Sequence, residues 1–320
     1  MTGSHEITVQ NRRLKYKFTV CRNITILRGD SATGKTTLID MIEEYQRNGN
    51  RTGIELKCDK KCIVLGEDYW DTKLRDTKDS IVFIDEGYEY IDSEEFAHII
   101  KDTDNYYVIA TRGSLFNIPY SIKEIYGIKN VSGNRYQGTK RLYSEIYRLY
   151  NDDFDTEFSP EIVFVEDSKA GYEFFQNYFK RFNIECETTN GNSGVYDSLV
   201  KSKKSNILII VDGAAFGPYI EQVKMIGKNK NIFIYMPESF EWMILSSGLI
   251  KSGNVSSILE RPYDFIESKD YFTWERFFTD ILRKETRGTY LQYKKESLNR
   301  VYLQEDVTDK VVKGTPLEEM

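Results

Sequence analysis

The sequence of 320 residues predicts an α/β protein with two domains. Apolar, β-branched runs alternate with segments of helical periodicity, which is typical of parallel sheets covered by helices. An acidic stretch interrupted by Pro160 separates two such series, and the chain length suits two hydrophobic cores. We predict an N-terminal domain over residues 1–150, an acidic linker over 151–160, a second α/β domain over 161–260 and a helical C-terminal extension over 261–320.

The first domain is expected to start with an antiparallel hairpin. Apolar residues alternate along residues 6–20, with Asn11 and Arg12 at the turn. A second hairpin is predicted over residues 54–65. Buried strands are predicted at 24–27, 81–84 and 106–110, and helical spacing follows the first of them. Together these elements predict a three-layer domain with a mostly parallel sheet.

Residues 29–36 read Gly-Asp-Ser-Ala-Thr-Gly-Lys-Thr, between a predicted strand and a predicted helix. The glycines allow backbone amides to surround phosphate oxygens, and the helix N-terminus adds partial positive charge. Lys35 is expected to reach the β- and γ-phosphates, and the Thr36 hydroxyl to bind Mg²⁺. The alternative is a glycine turn that matches by chance. With ATP and Mg²⁺ as expected ligands, the predicted nucleotide-binding residues are Gly29, Asp30, Ser31, Ala32, Thr33, Gly34, Lys35, Thr36 and Thr37.

Polar residues end the next two buried strands of this domain. Asp85 and Glu86 follow the strand at 81–84, at the edge where ligands bind in open α/β sheets. We predict that Asp85 holds Mg²⁺ with Thr36 and that Glu86 orients the attacking water. Arg112 follows the next strand and is predicted to contact the γ-phosphate. The alternative is that both strands simply end in solvated polar residues.

The pair Asp85-Glu86, together with Lys35, resembles the additional-strand class of P-loop ATPases. The N-terminal hairpin followed by residues 23–29 resembles more specifically the ABC-type ATPases of the SMC and overcoming-lysogenization-defect groups. These resemblances imply a P-loop NTPase domain that hydrolyses ATP. The chain lacks a Leu-Ser-Gly-Gly-type signature between Thr37 and Asp85, so the resemblance does not extend to the sandwich dimer of those groups.

Acidic residues also follow three predicted strands of the second domain. Glu166 follows the first strand and Asp212 the second, and either Glu238 or Glu241 supplies a carboxylate after the third. Carboxylates at one edge of a sheet provide the oxygen ligands that Mg²⁺ prefers, and such an ion assists phosphodiester cleavage. The alternative is a set of ordinary acidic strand ends, with Asp167 as the cap of the following helix.

This arrangement resembles the Toprim fold of topoisomerases, primases and overcoming-lysogenization-defect nucleases, over residues 161–250. The resemblance implies that Glu166 is the catalytic acid/base and that Glu166, Asp212 and Glu238 are metal ligands. Asp212 corresponds to the first aspartate of the Asp-x-Asp motif of that fold. Ala214 stands where the second aspartate is expected.

Together these features predict an ATP-hydrolysing protein whose nucleotide cycle gates a Mg²⁺-dependent activity on nucleic acid, most simply a nuclease in prokaryotic defence. DNA or RNA and either a second copy of the chain or another protein are the expected partners. Because of Ala214, the alternative is an ATPase whose Toprim-like domain is catalytically degenerate and acts in binding or regulation. A small-molecule kinase is a third interpretation.

Composition and charge indicate the cellular compartment and the partners to expect. The net charge is −6, so no strongly basic surface points to nucleic acid. No apolar run is long enough for a membrane span and no secretory signal is visible, so we expect a cytoplasmic protein with no membrane partner. Four cysteines do not form a disulfide framework in a chain of this length. Cys58 and Cys62 have a spacing that could begin a zinc site, but a turn between two strands explains them better.

Overall fold

A computed structural model describes residues 1–30, 33–131, 142–150 and 158–319. The predicted α/β class is confirmed, with a large, mostly parallel sheet and a second, parallel sheet with helices. The chain forms two compact units. Unit 1 comprises Met1–Asn151 and Tyr263–Phe272, and unit 2 comprises Asp152–Pro262 and Thr273–Met320. Most of the predicted acidic linker, residues 151–157, lies outside the described residues.

The sheet of unit 1 has nine strands among the described residues, in the order β4-β1-β2-β9-β8-β3-β7-β6-β5. These strands are β1 (His5–Gln10), β2 (Leu14–Val20), β3 (Ile24–Arg28), β4 (Glu55–Lys57), β5 (Lys61–Val64), β6 (Ser80–Ile84), β7 (Tyr106–Thr111), β8 (Ile125–Val131) and β9 (Leu142–Arg148). The helices of this unit are α1 (Lys35–Asn48), α2 (Trp70–Asp76) and α3 (Glu94–Lys101). Short 3₁₀ turns occupy Gly49–Thr52, Glu89–Asp92 and Ile122–Glu124.

The predicted N-terminal hairpin is confirmed. Strands β1 and β2 pair antiparallel, in a register that joins His5 to Val20 and Gln10 to Lys15. The side-chain oxygen of Asn11 accepts hydrogen bonds from the backbone N–H groups of Arg13 and Leu14, each at 2.8 Å. An asparagine in this position stabilises a tight turn, which is why the local sequence was sufficient to predict it.

The predicted second hairpin over residues 54–65 is wrong. Strand β4 pairs antiparallel with β1, whereas β5 pairs parallel with β6, so the two strands form opposite edges of the sheet. Both segments are short, and their local pattern is compatible with several partners.

This topology requires the sheet of unit 1 to roll up. Nine strands at a spacing of about 4.8 Å would separate the edges of a flat sheet by roughly 38 Å. The chain passes from β4 to β5 through residues 58–60, which can span at most about 15 Å between the strand ends. The two edges therefore lie close together. Helix α1 packs against β1, β4 and β5 and is enclosed by the curved sheet.

The core of unit 1 forms around one face of α1. The buried residues of this helix recur at helical spacing at Leu38, Ile39, Met41 and Ile42. They join a hydrophobic cluster with side chains from both the antiparallel and the parallel parts of the sheet, including Ile7, Phe18, Phe83 and Val108. A short segment from late in the sequence also belongs to this unit. The Asn23 side chain donates to the Ser268 carbonyl at 2.8 Å.

Unit 2 has a four-stranded sheet among its described residues, in the order β11-β10-β12-β13. All of its neighbouring strands are parallel. The strands are β10 (Ile162–Val165), β11 (Glu185–Thr188), β12 (Asn206–Ile210) and β13 (Asn231–Tyr235). The helices are α4 (Ala170–Lys180), α5 (Asn192–Lys201), α6 (Ile220–Ile226), α7 (Phe240–Ser246), α8 (Gly253–Glu260), α9 (Trp274–Thr286) and α10 (Glu305–Val312). Within the described ranges, no helix is long and apolar enough to cross a membrane.

Substitution of a residue on the buried face of α1 tests this enclosure. Leu38 is fully buried, so Leu38→Ala is expected to lower the free energy of unfolding by about 2–5 kcal/mol. Glu44→Ala, on the exposed side of the same helix, is the matched control and should change it by no more than about 0.5 kcal/mol. Chemical denaturation followed by circular dichroism measures both. Equal effects of the two substitutions would contradict the enclosure of α1.

Candidate functional site

The predicted phosphate loop lies between the end of β3 and the start of α1. Gly34, immediately before the helix, has φ +100°, a conformation that residues with a side chain rarely adopt. A Cβ atom at this position would also lie 3.0 Å from the Tyr16 hydroxyl. The same hydroxyl donates to the Gly34 carbonyl at 3.2 Å. Glycine is therefore required here, and Tyr16 holds the loop against the sheet.

The other loop residues are placed as follows. The Thr33 hydroxyl donates to the Asp30 carbonyl at 3.1 Å, and the side chains of Thr36 and Thr37 are exposed on the first turn of α1. Gly29 has φ +154°. Ser31 and Ala32 lie outside the described residues.

The ammonium of Lys35 is held inside the loop. The side chain is 3% exposed, and its Nζ donates to the carbonyls of Gly29 and, at 3.2 Å, of Asp30. It also lies 3.7 Å from Oε2 of Glu86. A cation buried against carbonyl oxygens at a helix N-terminus can exchange those weak acceptors for phosphate oxygens. Lys35 is thus positioned to bind an anion.

Parallel pairing brings the predicted Mg²⁺ residues to the same edge of the sheet. Strands β3, β7 and β6 are adjacent and parallel, so the residues after β6 lie near the start of α1. The Thr36 hydroxyl is 3.5 Å from Oδ1 of Asp85. The same Oδ1 accepts a hydrogen bond from the Glu86 backbone N–H at 2.8 Å. A hydroxyl beside a carboxylate, next to a phosphate loop, fits Mg²⁺ that also binds phosphate oxygens.

Glu86 has two cationic neighbours. Arg112, which follows β7, donates to its Oε1 from Nε at 3.0 Å and from a terminal nitrogen at 2.6 Å. The hydrogen bond from Arg112 is the main reason that the pKa of Glu86 is lowered, and Lys35 acts in the same direction. The carboxylate is therefore ionised at neutral pH. Arg112 is therefore paired with Glu86, and its contact with the γ-phosphate stays a prediction.

Asp40, an acidic residue near Asp85, was not predicted. Partial burial and the carboxylates of Asp85 and Glu43 raise the pKa of Asp40 on α1. Asp40 follows Thr36 by one helical turn, so the spacing in the sequence was a usable signal that both project from one face of α1. The negative charge concentrated beside Asp85 favours a divalent cation there.

In unit 2 the parallel strands also bring carboxylates together. Burial, Glu275 and Asp167 raise the pKa of Glu166, after β10, to about 7. Burial, Glu275 and Glu166 raise the pKa of Asp212, after β12, well above its ordinary value. Val165 of β10 pairs with Ile210 of β12, so Glu166 and Asp212 follow adjacent strand ends. Glu275 from α9 acts on both and was not predicted, and these three residues are called the carboxylate centre.

The third predicted carboxylate is supplied by Glu241. This residue on α7 is 1% exposed, its Oε1 accepts a hydrogen bond from the Tyr293 hydroxyl at 2.8 Å, and its charge acts on Asp212. Its Oε2 is buried without a hydrogen-bond partner. Glu238, the other predicted carboxylate after β13, is buried as well.

Ala214, which stands where the second aspartate of the Asp-x-Asp motif was expected, lies at a tight backbone contact. Ala214 is buried, and its backbone N–H donates to the Glu238 carbonyl at 3.3 Å. A Cβ atom on the neighbouring Gly213 would lie 2.8 Å from the Met236 carbonyl. The segments after β12 and β13 therefore pack backbone to backbone.

A lysine from the C-terminal part of unit 2 completes the carboxylate centre. Nζ of Lys295 donates to Oε1 of Glu275 and lies 3.8 Å from Oε1 of Glu241. Burial works to lower the pKa of Lys295, but Glu241 and Glu275 raise it above its ordinary value. No pattern in the sequence indicated Lys295, because it is one of many lysines in a charged segment far from the predicted strands.

The two units therefore differ in their fit to a metal ion. Within the described part of the chain, no three His, Cys, Asp or Glu side chains are arranged to hold a metal. At Thr36 and Asp85 this is compatible with Mg²⁺, since nucleotide phosphates and water supply most of its ligands there. In unit 2 the carboxylates would have to provide most of the protein ligands, and the ammonium of Lys295 offsets one of their charges.

Comparison of the sequence with protein-family models and with curated proteins gave no match.

The structural role of Lys295 can be tested by removing its charge. Lys295→Met leaves the buried carboxylates uncompensated, so it should lower the free energy of unfolding by about 1–3 kcal/mol, reduced from a fully buried pair because the side chain is 28% exposed. Lys294→Met changes the exposed neighbour and is the matched control. Chemical denaturation at neutral pH measures both. Indistinguishable stabilities would show that the cluster does not depend on this cation.

Proposed function

We propose that unit 1 binds ATP with Mg²⁺ and hydrolyses it. The observation that carries this proposal is the convergence of Lys35, the Thr36–Asp85 pair and Glu86 at the carboxyl ends of three adjacent parallel strands. Each group has the chemistry that phosphoryl transfer needs at that place: a cation for the phosphates, oxygen ligands for Mg²⁺ and an ionised carboxylate for water.

The roles of the residues follow from their present partners. Lys35 exchanges the carbonyls of Gly29 and Asp30 for β- and γ-phosphate oxygens. Thr36 and Asp85 would hold Mg²⁺, which neutralises charge on the phosphates when it is bound. Glu86 orients the attacking water and accepts its proton. Arg112 keeps Glu86 ionised and fixes its orientation, which makes it a positioning residue.

Phosphoryl transfer to a small acceptor is the second candidate function of unit 1. A cleft of about 560 Å³ borders Glu86 and Arg112 and is lined by Tyr88, Glu89 and Thr111 among others. It lies where an acceptor hydroxyl could meet the γ-phosphate. Release of free phosphate from ATP without any added acceptor supports the hydrolase, whereas strict dependence on an acceptor supports the kinase.

For unit 2 we propose a binding or regulatory role toward nucleic acid, governed by the nucleotide state of unit 1. Two features support this alternative over metal-dependent cleavage. Ala214 replaces an expected metal ligand, and Lys295 supplies the positive charge that a metal would otherwise provide. The carboxylate centre then stabilises the domain instead of catalysing a reaction.

Substitutions of Glu86 and Lys35 test whether unit 1 hydrolyses ATP. Glu86→Gln should retain ATP binding in calorimetry but slow phosphate release by at least about 100-fold, because the amide is a poor proton acceptor. Lys35→Ala should abolish the calorimetric signal for Mg²⁺-ATP. Glu89→Gln, an exposed carboxylate on the loop after β6, is the control and should retain both properties. Unchanged phosphate release in Glu86→Gln would contradict the assignment of Glu86.

The role of unit 2 is tested on the full chain with Mg²⁺ or Mn²⁺ and with plasmid and single-stranded substrates. We expect no cleavage by the wild type, and Glu166→Ala should behave in the same way. Retention of labelled single-stranded DNA or RNA in filter binding, sensitive to ATP, is the expected positive result. Cleavage by the wild type that Glu166→Ala abolishes would establish the nuclease instead.

A further inference from the structure

The connection between β4 and β5 carries a pair of cysteines that neither proposed function uses. It reads Cys58-Asp-Lys-Lys-Cys62 and joins the two edges of the rolled sheet of unit 1. Because only residues 58–60 lie between the strands, the chain bends sharply here.

Both sulfurs hydrogen-bond the backbone of one residue, Lys60, so they lie close together. The backbone N–H of Lys60 donates to Sγ of Cys58 at 3.4 Å, and the thiol of Cys62 donates to the Lys60 carbonyl at 3.8 Å. The thiol of Cys58 in turn donates to Oδ1 of Asp59 at 3.6 Å. Cys58 thus accepts one hydrogen bond and donates another, and Cys62 donates one.

The two thiols differ in accessibility. Cys58 is partly exposed, whereas Cys62 is 8% exposed and belongs to the core cluster around α1. The neighbouring Cys62 lowers the pKa of Cys58, although burial and Asp59 oppose this effect. The neighbouring Cys58 and burial raise the pKa of Cys62. A reagent in solution therefore reaches the sulfur of Cys58 before that of Cys62.

The neighbouring side chains do not complete a zinc site. Nδ1 of His5 is 2.8 Å from Asp59, and its Nε2 is 3.0 Å from the Thr2 carbonyl, so both ring nitrogens have protein partners. In the described ranges, no three potential ligands converge there. Cys58 and Cys62 are therefore expected to react as thiols and not to bind a metal.

We propose that Cys58 and Cys62 form a thiol–disulfide exchange site for low-molecular-weight disulfides such as glutathione disulfide. The Cys58 thiolate attacks one sulfur of glutathione disulfide, forms a mixed disulfide and releases one glutathione thiolate. Cys62 loses its proton to solvent, attacks the Cys58 sulfur and releases the second glutathione. Two protein thiols are oxidised to one disulfide and one glutathione disulfide is reduced to two thiols, so atoms and electrons balance.

The other two cysteines provide controls within the same chain. The Cys21 thiol lies 3.9 Å from Oε1 of Glu124 in unit 1. Cys186 lies in unit 2, where burial and Glu187 raise its pKa to about 12. Substitution of either residue by serine leaves the Cys58–Cys62 pair intact.

The experiment uses the reduced full-length protein, incubated with glutathione disulfide, alkylated and analysed by intact mass and peptide mapping. The wild type should lose two hydrogen atoms and yield a peptide that links Cys58 to Cys62. Cys62→Ser should accumulate one glutathione adduct at Cys58. Cys58→Ser should slow modification of Cys62 by at least about tenfold. Cys21→Ser and Cys186→Ser should react as the wild type does.

Three results would overturn the proposal, and each is visible in the wild type without any variant. The first is a glutathione adduct at Cys58 that persists without resolution to the disulfide. The second is faster modification of Cys21 than of Cys58. The third is one equivalent of bound zinc that protects both thiols from oxidation.

Discussion

The short connection between β4 and β5 is the constraint on which unit 1 depends. Because about 15 Å of chain joins the two edges of a nine-stranded sheet, the sheet must curve around α1 and bury its apolar face. The start of α1 is thereby fixed beside the carboxyl ends of β3, β7 and β6. Parallel pairing of β3, β7 and β6 then brings Asp85 and Glu86 to Lys35, and the bend at the connection brings both cysteine sulfurs to the backbone of Lys60.

Both units gather carboxylates at the carboxyl edge of parallel strands, but they balance the charge differently. In unit 1, Glu86 is paired with Arg112, and Lys35 rests mainly on loop carbonyls, which are weak partners for an ammonium. A triphosphate can replace these carbonyls as the partner of Lys35 at little cost in free energy. In unit 2 the ammonium of Lys295 is paired with carboxylates, and Glu241 is further fixed by Tyr293. Replacing that cation would require breaking a buried ionic network.

This contrast explains why the same strand-end pattern supports different proposals in the two units. Thr36 and Asp85 need to provide only part of a Mg²⁺ shell, because a nucleotide brings oxygen ligands with it. The carboxylates of unit 2 are buried deeply enough to raise the pKa of Glu166 to about 7, which is the consequence of enclosing several carboxylates around one lysine.

The sequence by itself determined the features that depend on neighbours along the chain: the α/β class, the first hairpin with its Asn11 turn, the glycine-containing loop before α1, and the acidic residues that end β6, β10 and β12. Only the tertiary structure decided the partners of β4 and β5, the pairing of Arg112 with Glu86, and the contact of Glu275 and Lys295 with the carboxylates of unit 2. Turns, caps and periodicity are set by local backbone preferences, which a few residues encode. Strand partners and buried ion pairs are set by which distant surfaces bury the most apolar area and compensate charge, and that is a property of the whole folded unit.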